Sequence, residues 1–364
     1  MTDPKISSEG RPKPNTNHVT QTSDTLKKNM ALLACSIAFC LLLLFLIDMA
    51  FGRLHERQVA RNVPRALHIS GYVPDEMLGY RLAPNQHIQD NKIVGDTVVF
   101  SARYSIDERG RRVVPANKEK TSSDNFLVFF GCSVAFGIGV DDRETLPNQL
   151  GTLCSKCCVY HYGTPGYGTQ HMLALLQSGQ VKEGVSERRG TAIYVMIPSH
   201  VIRVAGTMRV ATQWGRDFPS YRFDSQGGVV HEGSFAMAHP HRMFVMDCLR
   251  KSGIVRYFDI DFPPVRQSHL HLTAEIILAS KRLFEEQFES QGFYVLLYPT
   301  FLELGIDLQP LIQTIQTHGV SVLDYRMIPM DRNKHILHPI HDEHPSAALH
   351  AIVAEKLARD IVLE

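Results

Sequence analysis

The sequence predicts a three-layer α/β/α sandwich with a mainly parallel sheet, and three observations support this fold class. From residue 126 onward, short apolar runs alternate with stretches of helical periodicity. The apolar runs are continuous, as expected for parallel strands that are covered on both faces. Polar or glycine-rich segments follow several of these runs, at the sheet edge where open α/β folds bind their ligands.

The predicted elements follow the order that a parallel sheet requires, because each crossover between neighbouring strands passes through a helix. The strands are expected at residues 126–130, 159–162, 192–197, 293–298 and 320–323. The helices are expected at residues 145–153, 170–177, 273–291, 311–318 and 346–361. In the longest helix, Thr273 is the candidate N-cap and Gly292 the candidate stop. Residues 206–240 form an insertion with a predicted hairpin. The insertion is interpreted equally well as a substrate-selecting lid or as a structural addition without a function of its own.

The N-terminal part of the 364-residue chain lies outside this sheet. Residues 1–29 are polar and are predicted to form a disordered tail. Residues 30–51 are predicted to form a transmembrane helix, because the uncharged run at 30–47 spans about 27 Å at about 1.5 Å per residue. Residues 52–125 are predicted to form a linker and a small β-rich extension that leads into the α/β domain at 126–364.

The charges beside the apolar run bear on its orientation. Lys27 and Lys28 precede it, which favours a cytoplasmic N-terminus, a single pass through the inner membrane and a periplasmic main domain. Arg53 and Arg57 follow it and weaken this signal. A cleaved signal peptide is the alternative interpretation, although the run is long for that role and its exit is not a clean cleavage site.

Composition and spacing bear on partners and cofactors. The net charge of +1 gives no indication of a nucleic-acid partner. Cys154, Cys157 and Cys158 form a CxxCC cluster in which disulfides can form in an oxidising compartment, but spacing does not determine the pairing, and zinc is a minor alternative. His335, His338, His341 and His344 recur at every third position, but no helix places two of them on one face. We therefore predict no metal and no cofactor.

The segments that follow the predicted strands contain the components of a serine hydrolase site. Ser133 follows the first strand, a glycine-rich stretch at 163–168 the second, and Asp342 and His344 the last. Because the carboxyl ends of parallel strands meet at one edge, these groups are expected to converge. A serine hydroxyl becomes a nucleophile when an adjacent base accepts its proton, and histidine titrates in the useful range. A helix cap at Ser133 and a surface histidine at His344 are the plainer interpretations.

The local sequence also suggests how the backbone contributes. Gly131 permits a sharp turn that presents Ser133 near a helix N-terminus, where free N–H groups stabilise an oxyanion. Gly166 can bring a second N–H close without a side chain in the way. His344 precedes Pro345, a favoured first helical residue, so His344 is expected to cap the last helix.

These residues lie in segments that resemble the SGNH (GDSL-like) hydrolase superfamily. FFGCSVAFGIGVDDRETLPNQL (129–150) is similar to its first block, HYGTPGYGTQ (161–170) to its second, DEHPSAALHAIVAEKLA (342–358) to its last, and segments 72–85 and 104–112 to the leader of one branch. The resemblance covers about residues 70–364. It implies a flavodoxin-like SGNH hydrolase fold and ester hydrolysis through an acyl-serine.

Carried over to this sequence, the resemblance assigns the roles of individual residues. The matching positions are Ser133 (nucleophile), His344 (base), Asp342 (supporting acid) and Gly166 (oxyanion donor together with the Ser133 N–H). Cys132 replaces the usual aspartate beside the nucleophile. Ser199 or His200 stands where the family has an asparagine donor, so the third oxyanion donor is unassigned. Arg203 is a candidate for binding an anionic substrate group, with a solvated arginine as the alternative.

Three functions are compatible with this set of residues. The first is a membrane-anchored serine esterase that hydrolyses carboxyl or O-acetyl esters on envelope glycans or lipids. The second is an O-acyltransferase of envelope polysaccharide that uses the same triad and passes the acyl group to a sugar. The third is a catalytically weak binding or scaffold module, favoured by the missing asparagine. The triad residues alone do not separate the first two.

Overall fold

A computed structural model describes the backbone of residues 16–60, 65–66, 71–120, 123–301 and 304–361. The chain divides into two compact units. One consists of Ala60–Lys251 with Ile260–Glu364, and the other of Met1–Val59 with Ser252–Asp259. The first contains the α/β sheet, and the second contains the apolar N-terminal helix.

Strands and helices alternate along the larger unit. The strands are β1 (Arg65–Ala66), β2 (Tyr72–Asp75), β3 (Gly79–Leu82), β4 (Gln86–Val94), β5 (Thr97–Ile106), β6 (Asn125–Phe130), β7 (Cys157–His161), β8 (Arg189–Met196), β9 (Pro219–Phe223), β10 (Val229–Ser234), β11 (Glu289–Leu297), β12 (Ser321–Asp324), β13 (Ile336–His338) and β14 (Asp342–Pro345). The helices of the described residues in both units are α1 (Thr16–Ala60), α2 (Ser133–Phe136), α3 (Leu146–Leu153), α4 (Thr169–Gln177), α5 (Gln180–Gly184), α6 (Ser199–Ala205), α7 (Met208–Gln213), α8 (Phe235–Ala238), α9 (Pro240–Leu249), α10 (Gly253–Tyr257), α11 (Gln267–Gln287), α12 (Gln309–Thr317), α13 (Arg332–His335) and α14 (Ala347–Asp360). Short 3-10 helices lie at Pro115–Glu119 and Asp142–Glu144.

The predicted three-layer α/β/α sandwich is confirmed. Five parallel strands form one sheet in the order β12-β11-β8-β6-β7. Successive residues of β6 enter opposite cores: Phe126 and Val128 pack with α4, α11 and α12, and Leu127 and Phe129 with α3 and α14. Burial on both faces explains why β6 is a continuous apolar run.

The helix predicted at residues 273–291 corresponds to α11, and it differs from the prediction at both ends. Helix α11 begins at Gln267. Its start is stabilised by the ring Nδ1 of His269, which accepts a hydrogen bond from the Arg266 N–H at 3.0 Å, and Arg266 is not one of the usual N-cap residues. Thr273 lies inside the helix, where its hydroxyl donates to the His269 carbonyl at 2.7 Å. Gly292, the predicted stop, belongs to β11, where it pairs with Thr191 of β8.

Antiparallel strands occupy the predicted extension. Strands β1, β4 and β5 form one small sheet, and β2 and β3 form a hairpin. The fully buried Arg112 fastens this region to the loop after α2, because its guanidinium donates to the Phe136, Gly137 and Val140 carbonyls at 2.6 to 2.7 Å. It also pairs with Asp142 at 2.9 Å, which compensates the buried charge.

The predicted hairpin in the insertion is confirmed by the antiparallel pairing of β9 with β10. The irregular region is longer than the predicted 206–240, because helices α9 and α10 follow the hairpin before α11 begins. Trp214, the only tryptophan of the chain, lies in this insertion with 38% of its surface exposed.

The smaller unit is built on α1, which contains the predicted membrane segment. Leu26–Gln58 is long and apolar enough to cross a membrane, with a mean hydropathy of 2.9, and an N-terminal signal sequence meets the same criterion. The helix starts at Thr16, so residues 16–29 are helical where a disordered tail was predicted, and residues 1–15 lie outside the described part. Once an apolar segment forms a helix, each added residue gains a hydrogen bond, which favours extension into polar sequence.

A short segment of the insertion packs against α1 within this unit. The Asp48 carboxylate accepts hydrogen bonds from the Ser252 hydroxyl at 2.5 Å and from the backbone N–H groups of Gly253 and Ile254 at 3.0 Å. It therefore satisfies the first N–H groups of α10. A Cβ atom at Gly253 would lie 2.0 Å from the Asp48 carbonyl oxygen, so this contact requires glycine.

Candidate active site

The candidate nucleophile lies directly after β6, an interior strand of the five-stranded sheet. Gly131 has φ +151°, and a Cβ atom there would lie 2.8 Å from Ala135 Cβ and 2.9 Å from the Val195 carbonyl oxygen. Only glycine fits this turn, which leads at once into α2. Ser133 is the first residue of that helix, and its half-buried hydroxyl lies at the carboxyl end of the sheet.

The candidate acid and base lie on a small hairpin near the C-terminus. Strand β14 pairs with β13 and contains both Asp342 and His344. The expectation that His344 caps the last helix is wrong: Ser346 caps α14 by accepting a hydrogen bond from the Leu349 N–H at 3.4 Å. The cap thus lies two residues after His344, and the His344 ring faces the nucleophile.

The structure brings the three predicted residues together. His344 Nε2 lies 2.8 Å from Ser133 Oγ, across a sequence separation of 211 residues. His344 Nδ1 lies 2.6 Å from Asp342 Oδ1, which also accepts the His344 backbone N–H at 3.0 Å. Because an ionised carboxylate only accepts, this network assigns the neutral-ring proton to Nδ1 and leaves Nε2 to accept from the serine.

Asp342 is nearly buried, with a side-chain exposure of 5%. Burial alone would raise the pKa of Asp342, but hydrogen bonds and the charge of His344, together with a hydrogen bond from Lys92, lower it well below the usual range. The carboxyl is therefore ionised near neutral pH, as a group that orients an imidazole must be.

Sequence reasoning missed three side chains of the extension that surround Asp342. Lys92 donates to Asp342 Oδ2 at 2.8 Å and to the His341 carbonyl at 2.7 Å. Asp90 is buried beside this pair and accepts the Tyr104 hydroxyl at 2.9 Å. Asp90 and Lys92 are two positions apart on β4, so they share a face, but that periodicity alone does not say what the face contacts.

Two backbone N–H groups are available near the nucleophile. In the part of the chain that the structure describes, the N–H groups of Ser133 and Gly166 have no hydrogen-bond partner. The loop that contains Gly166 is held to the nucleophile turn, since the Thr164 N–H donates to the Gly131 carbonyl at 3.1 Å. The Tyr80 hydroxyl fixes the same loop by donating to the Pro165 carbonyl at 2.7 Å.

Gly166 could not be replaced without disturbing this arrangement. Its φ is +89°, and a Cβ atom would lie 2.1 Å from the Tyr80 hydroxyl oxygen. The same position is 3.3 to 3.4 Å from the Trp214 indole, so the insertion reaches the loop of the candidate oxyanion donor. Close approach of a hydroxyl and an indole therefore explains the glycine.

The remaining predicted site residues differ in their placement. His200 is fully buried, its Nδ1 lies 2.6 Å from the Tyr194 hydroxyl, and burial holds its pKa well below the ordinary value. Its Nε2 lies in the interior and has no hydrogen-bond partner among the described residues, so His200 stays a candidate donor. The Ser199 hydroxyl has no hydrogen-bond partner among the described residues, which keeps it a candidate. Arg203 is not a solvated side chain: its guanidinium donates to the Tyr167 carbonyl and braces the 163–168 loop.

Two histidines of the 335–344 series and two cysteines of the CxxCC cluster have structural roles. His335 Nδ1 accepts the Asp331 N–H at 2.9 Å, and His338 Nδ1 accepts the Ile340 N–H at 3.2 Å. Among the residues that the structure describes, no three His, Cys, Asp or Glu side chains are placed to hold a metal ion. In the CxxCC cluster, Cys154 and Cys157 form a disulfide, and Cys158 is a free thiol.

Comparisons with known proteins were made at three levels. No protein-family model matches the sequence, and no curated protein is significantly similar to it. Among solved structures, a lipolytic protein of the G-D-S-L family from Veillonella parvula is 11% identical, with 65% of this chain and 100% of that chain covered and a TM-score of 0.36. A variant of an acetyl xylan esterase from Geobacillus stearothermophilus is 12% identical, with 67% and 97% covered and a TM-score of 0.37. A two-domain esterase active on acetylated mannans is 8% identical, with 67% and 51% covered and a TM-score of 0.38.

Proposed function

We propose that the chain is a membrane-anchored serine esterase that hydrolyses carboxyl or O-acetyl esters of envelope glycans or lipids. The observation that carries the proposal is the unbroken hydrogen-bonded series from Ser133 Oγ through the His344 imidazole to the Asp342 carboxylate, at 2.8 and 2.6 Å. The residue types, their order of contact and the tautomer match the requirements for activating a serine hydroxyl. The apolar segment of α1 supports the anchor, and Lys27 and Lys28, which precede that segment, support a periplasmic catalytic unit.

The geometry supports a two-step reaction. Ser133 Oγ attacks the ester carbonyl carbon while His344 Nε2 takes the hydroxyl proton, and the Asp342 carboxylate stabilises the resulting imidazolium. The tetrahedral intermediate breaks its bond to the leaving oxygen, which departs as an alcohol with the proton from His344. Water then attacks the acyl-serine and gives a proton to His344. As the bond between the acyl carbon and Ser133 Oγ breaks, His344 returns that proton to Ser133 Oγ, and the carboxylic acid and the free serine hydroxyl are released.

The negative charge that develops on the ester carbonyl oxygen must be stabilised by hydrogen-bond donors. The unpartnered N–H groups of Ser133 and Gly166 supply two, and the Ser199 hydroxyl is a candidate for the third. Each such donor typically contributes about 10²–10³ in rate. A serine in place of the asparagine therefore affects the rate more than the reaction type, which favours an enzyme over a scaffold.

The insertion supports a glycan ester as the substrate class. Trp214 lies against the Gly166 loop and keeps 38% of its surface exposed. Its indole N–H has no hydrogen-bond partner in the described ranges. A flat apolar face with an adjacent donor suits a sugar ring, which presents C–H groups on its face and hydroxyls at its edge.

The decisive experiment is labelling of the full-length protein in detergent with a fluorophosphonate probe, together with turnover of p-nitrophenyl acetate and acetylated oligosaccharides. We expect Ser133→Ala to abolish both labelling and turnover. The control is Ser178→Ala, since the Ser178 hydroxyl donates only to the Leu175 carbonyl in α4. Labelling that survives in Ser133→Ala, or an unreactive wild type, would contradict the proposal. Addition of sugar acceptors separates hydrolysis from acyl transfer, because transfer yields an acylated sugar in place of free acid.

A further inference from the structure

The two oxygens of the Asp342 carboxylate have different partners. Oδ1 accepts from the ring and backbone of His344 at 2.6 and 3.0 Å. Oδ2 accepts only from Lys92 Nζ, at 2.8 Å, with 21% of the Lys92 side chain exposed. The carboxylate thus lies between an imidazole and an ammonium group. No feature of the catalytic hairpin itself provides this second partner.

Lys92 reaches the site from a distant part of the chain. It lies on β4, 250 residues before Asp342, where it pairs with Phe100 of β5. Its ammonium also donates to the His341 carbonyl at 2.7 Å, so one cation holds both the carboxylate and the backbone just before it. Two acceptors in one loop fix the ammonium in place, as in other charge-assisted hydrogen-bond pairs.

We propose that Lys92 is a positioning residue of the active site, which fixes the Asp342 carboxylate and, through its positive charge, opposes a positive charge on His344. The inference rests on the proposed esterase function, because it concerns the base of that reaction. Lys92 acts through Asp342 and touches neither the nucleophile nor the substrate.

Three other titratable groups lie around Lys92 and Asp342: one acid, Asp90, and the side chains of Tyr104 and His350. Asp90, on the same face of β4, lies beside Asp342, and burial followed by the Asp342 charge raises the pKa of Asp90, while Lys92 acts against the rise. Tyr104 on β5 donates to Asp90. On α14, burial, and then the charges of Arg112 and His344, lower the pKa of His350 to about 3, so it is uncharged near neutral pH. Lys92 is therefore the cation nearest to Asp342 apart from the catalytic imidazole.

The sign of the effect follows from these charges. An ammonium that shares the carboxylate reduces the negative charge available to an imidazolium, and it also repels that imidazolium directly. Removing the charge favours protonation of His344, which then cannot accept the serine proton. The acid limb of the pH dependence of kcat/KM should therefore move to higher pH. A charge within about 4–6 Å typically shifts a titration by about one unit or more.

The experiment compares full-length wild type, Lys92→Met and Lys92→Arg in detergent, with kcat/KM for p-nitrophenyl acetate measured from pH 5 to 9. For Lys92→Met we expect the acid limb about one unit higher and the plateau about tenfold lower, since the carboxylate loses its second anchor. Lys92→Arg keeps the charge and should restore the position of the limb. Circular dichroism checks folding, and Lys92→Gln replaces Lys92→Met if the latter unfolds.

The matched control is Lys281→Met on α11. Lys281 has nearly the same exposure, 22%, and a similar ion pair at 2.6 Å to Glu285, but it lies on a helix that contributes no residue to the site. An unshifted acid limb in Lys92→Met, whether or not the plateau falls, would overturn the inference, as would an equal shift in Lys281→Met. Failure of the proposed function is distinct, because it appears as a wild type with no Ser133-dependent turnover.

Discussion

Replacement of Asp342 by asparagine removes one charge and little volume, and the structure indicates how the new amide would lie. Lys92 Nζ and His344 Nδ1 face opposite oxygens of the carboxylate, at 2.8 and 2.6 Å. Lys92 faces one side with a charged ammonium and the His344 backbone N–H faces the other at 3.0 Å. Because the charged donor makes the stronger hydrogen bond, the amide oxygen would face Lys92 and the NH₂ group would face the ring. The imidazole would then accept at Nδ1 and bear its proton on Nε2, where it cannot take the proton of Ser133.

The expected magnitude has two contributions. Unit charges about 4 Å apart at an effective dielectric constant of about 20 interact by about 4 kcal/mol, which corresponds to a factor of about 10³ in rate. The wrong tautomer blocks the same step, and this type of replacement in a serine protease triad lowers kcat by about 10⁴. We therefore expect Asp342→Asn to lower kcat by about 10³–10⁴.

The assay is steady-state turnover of p-nitrophenyl acetate by the full-length protein, with the double variant Lys92→Met/Asp342→Asn alongside. Without the ammonium, the amide can turn its oxygen toward His344, so the double variant should recover about tenfold over Asp342→Asn. Asp331→Asn is the control: this exposed carboxylate of the same region accepts the Asn333 N–H at 2.9 Å. An Asp342→Asn variant with more than a tenth of wild-type kcat, or a double variant without recovery, would refute the reasoning.

Two further predictions concern the oxyanion loop and the insertion. Gly166→Ala should lower kcat/KM by about 10², because the new Cβ would lie 2.1 Å from the Tyr80 hydroxyl and displace one donor; normal fluorophosphonate labelling kinetics in this variant would exclude Gly166 as a donor. Trp214→Ala should raise KM for acetylated oligosaccharides about tenfold, with a smaller effect on p-nitrophenyl acetate; an equal effect on both substrates would remove the indole from sugar binding.

The sequence predicts the central sheet well because burial determines both its pattern and its structure. The run at 126–130 lies between two apolar cores, so its composition alone identifies a strand covered on both sides. Helix ends are less predictable. The N-terminus of α11 is stabilised by the ring of His269, and Gly292 follows an irregularity in the pairing of β11 with β8. Both features depend on neighbours that the local sequence does not reveal.

The candidate site likewise contains residues that the sequence predicts and residues that it does not. Ser133, Asp342 and His344 were predictable because each follows a strand or precedes a helix in a recognisable pattern, and the parallel sheet brings such ends together. Lys92 and Tyr80 were not predictable, because they lie on antiparallel strands whose placement depends on tertiary contacts. The burial of His200 was likewise hidden, since its partner is the Tyr194 hydroxyl within the core.

The extension contacts every part of the candidate reaction centre. Arg112 binds the carbonyls of the loop that follows the nucleophile helix, Tyr80 binds the loop of Gly166, and Lys92 binds the hairpin of Asp342. A shift of this region would therefore move nucleophile, oxyanion donor and acid together, and displacement of about 1 Å is enough to cost about 10² in rate. The predicted boundary at residue 125 separates segments that together form one site. The extension is thus part of the candidate catalytic unit, and on the proposed function its removal should cost activity even where the parallel sheet still folds.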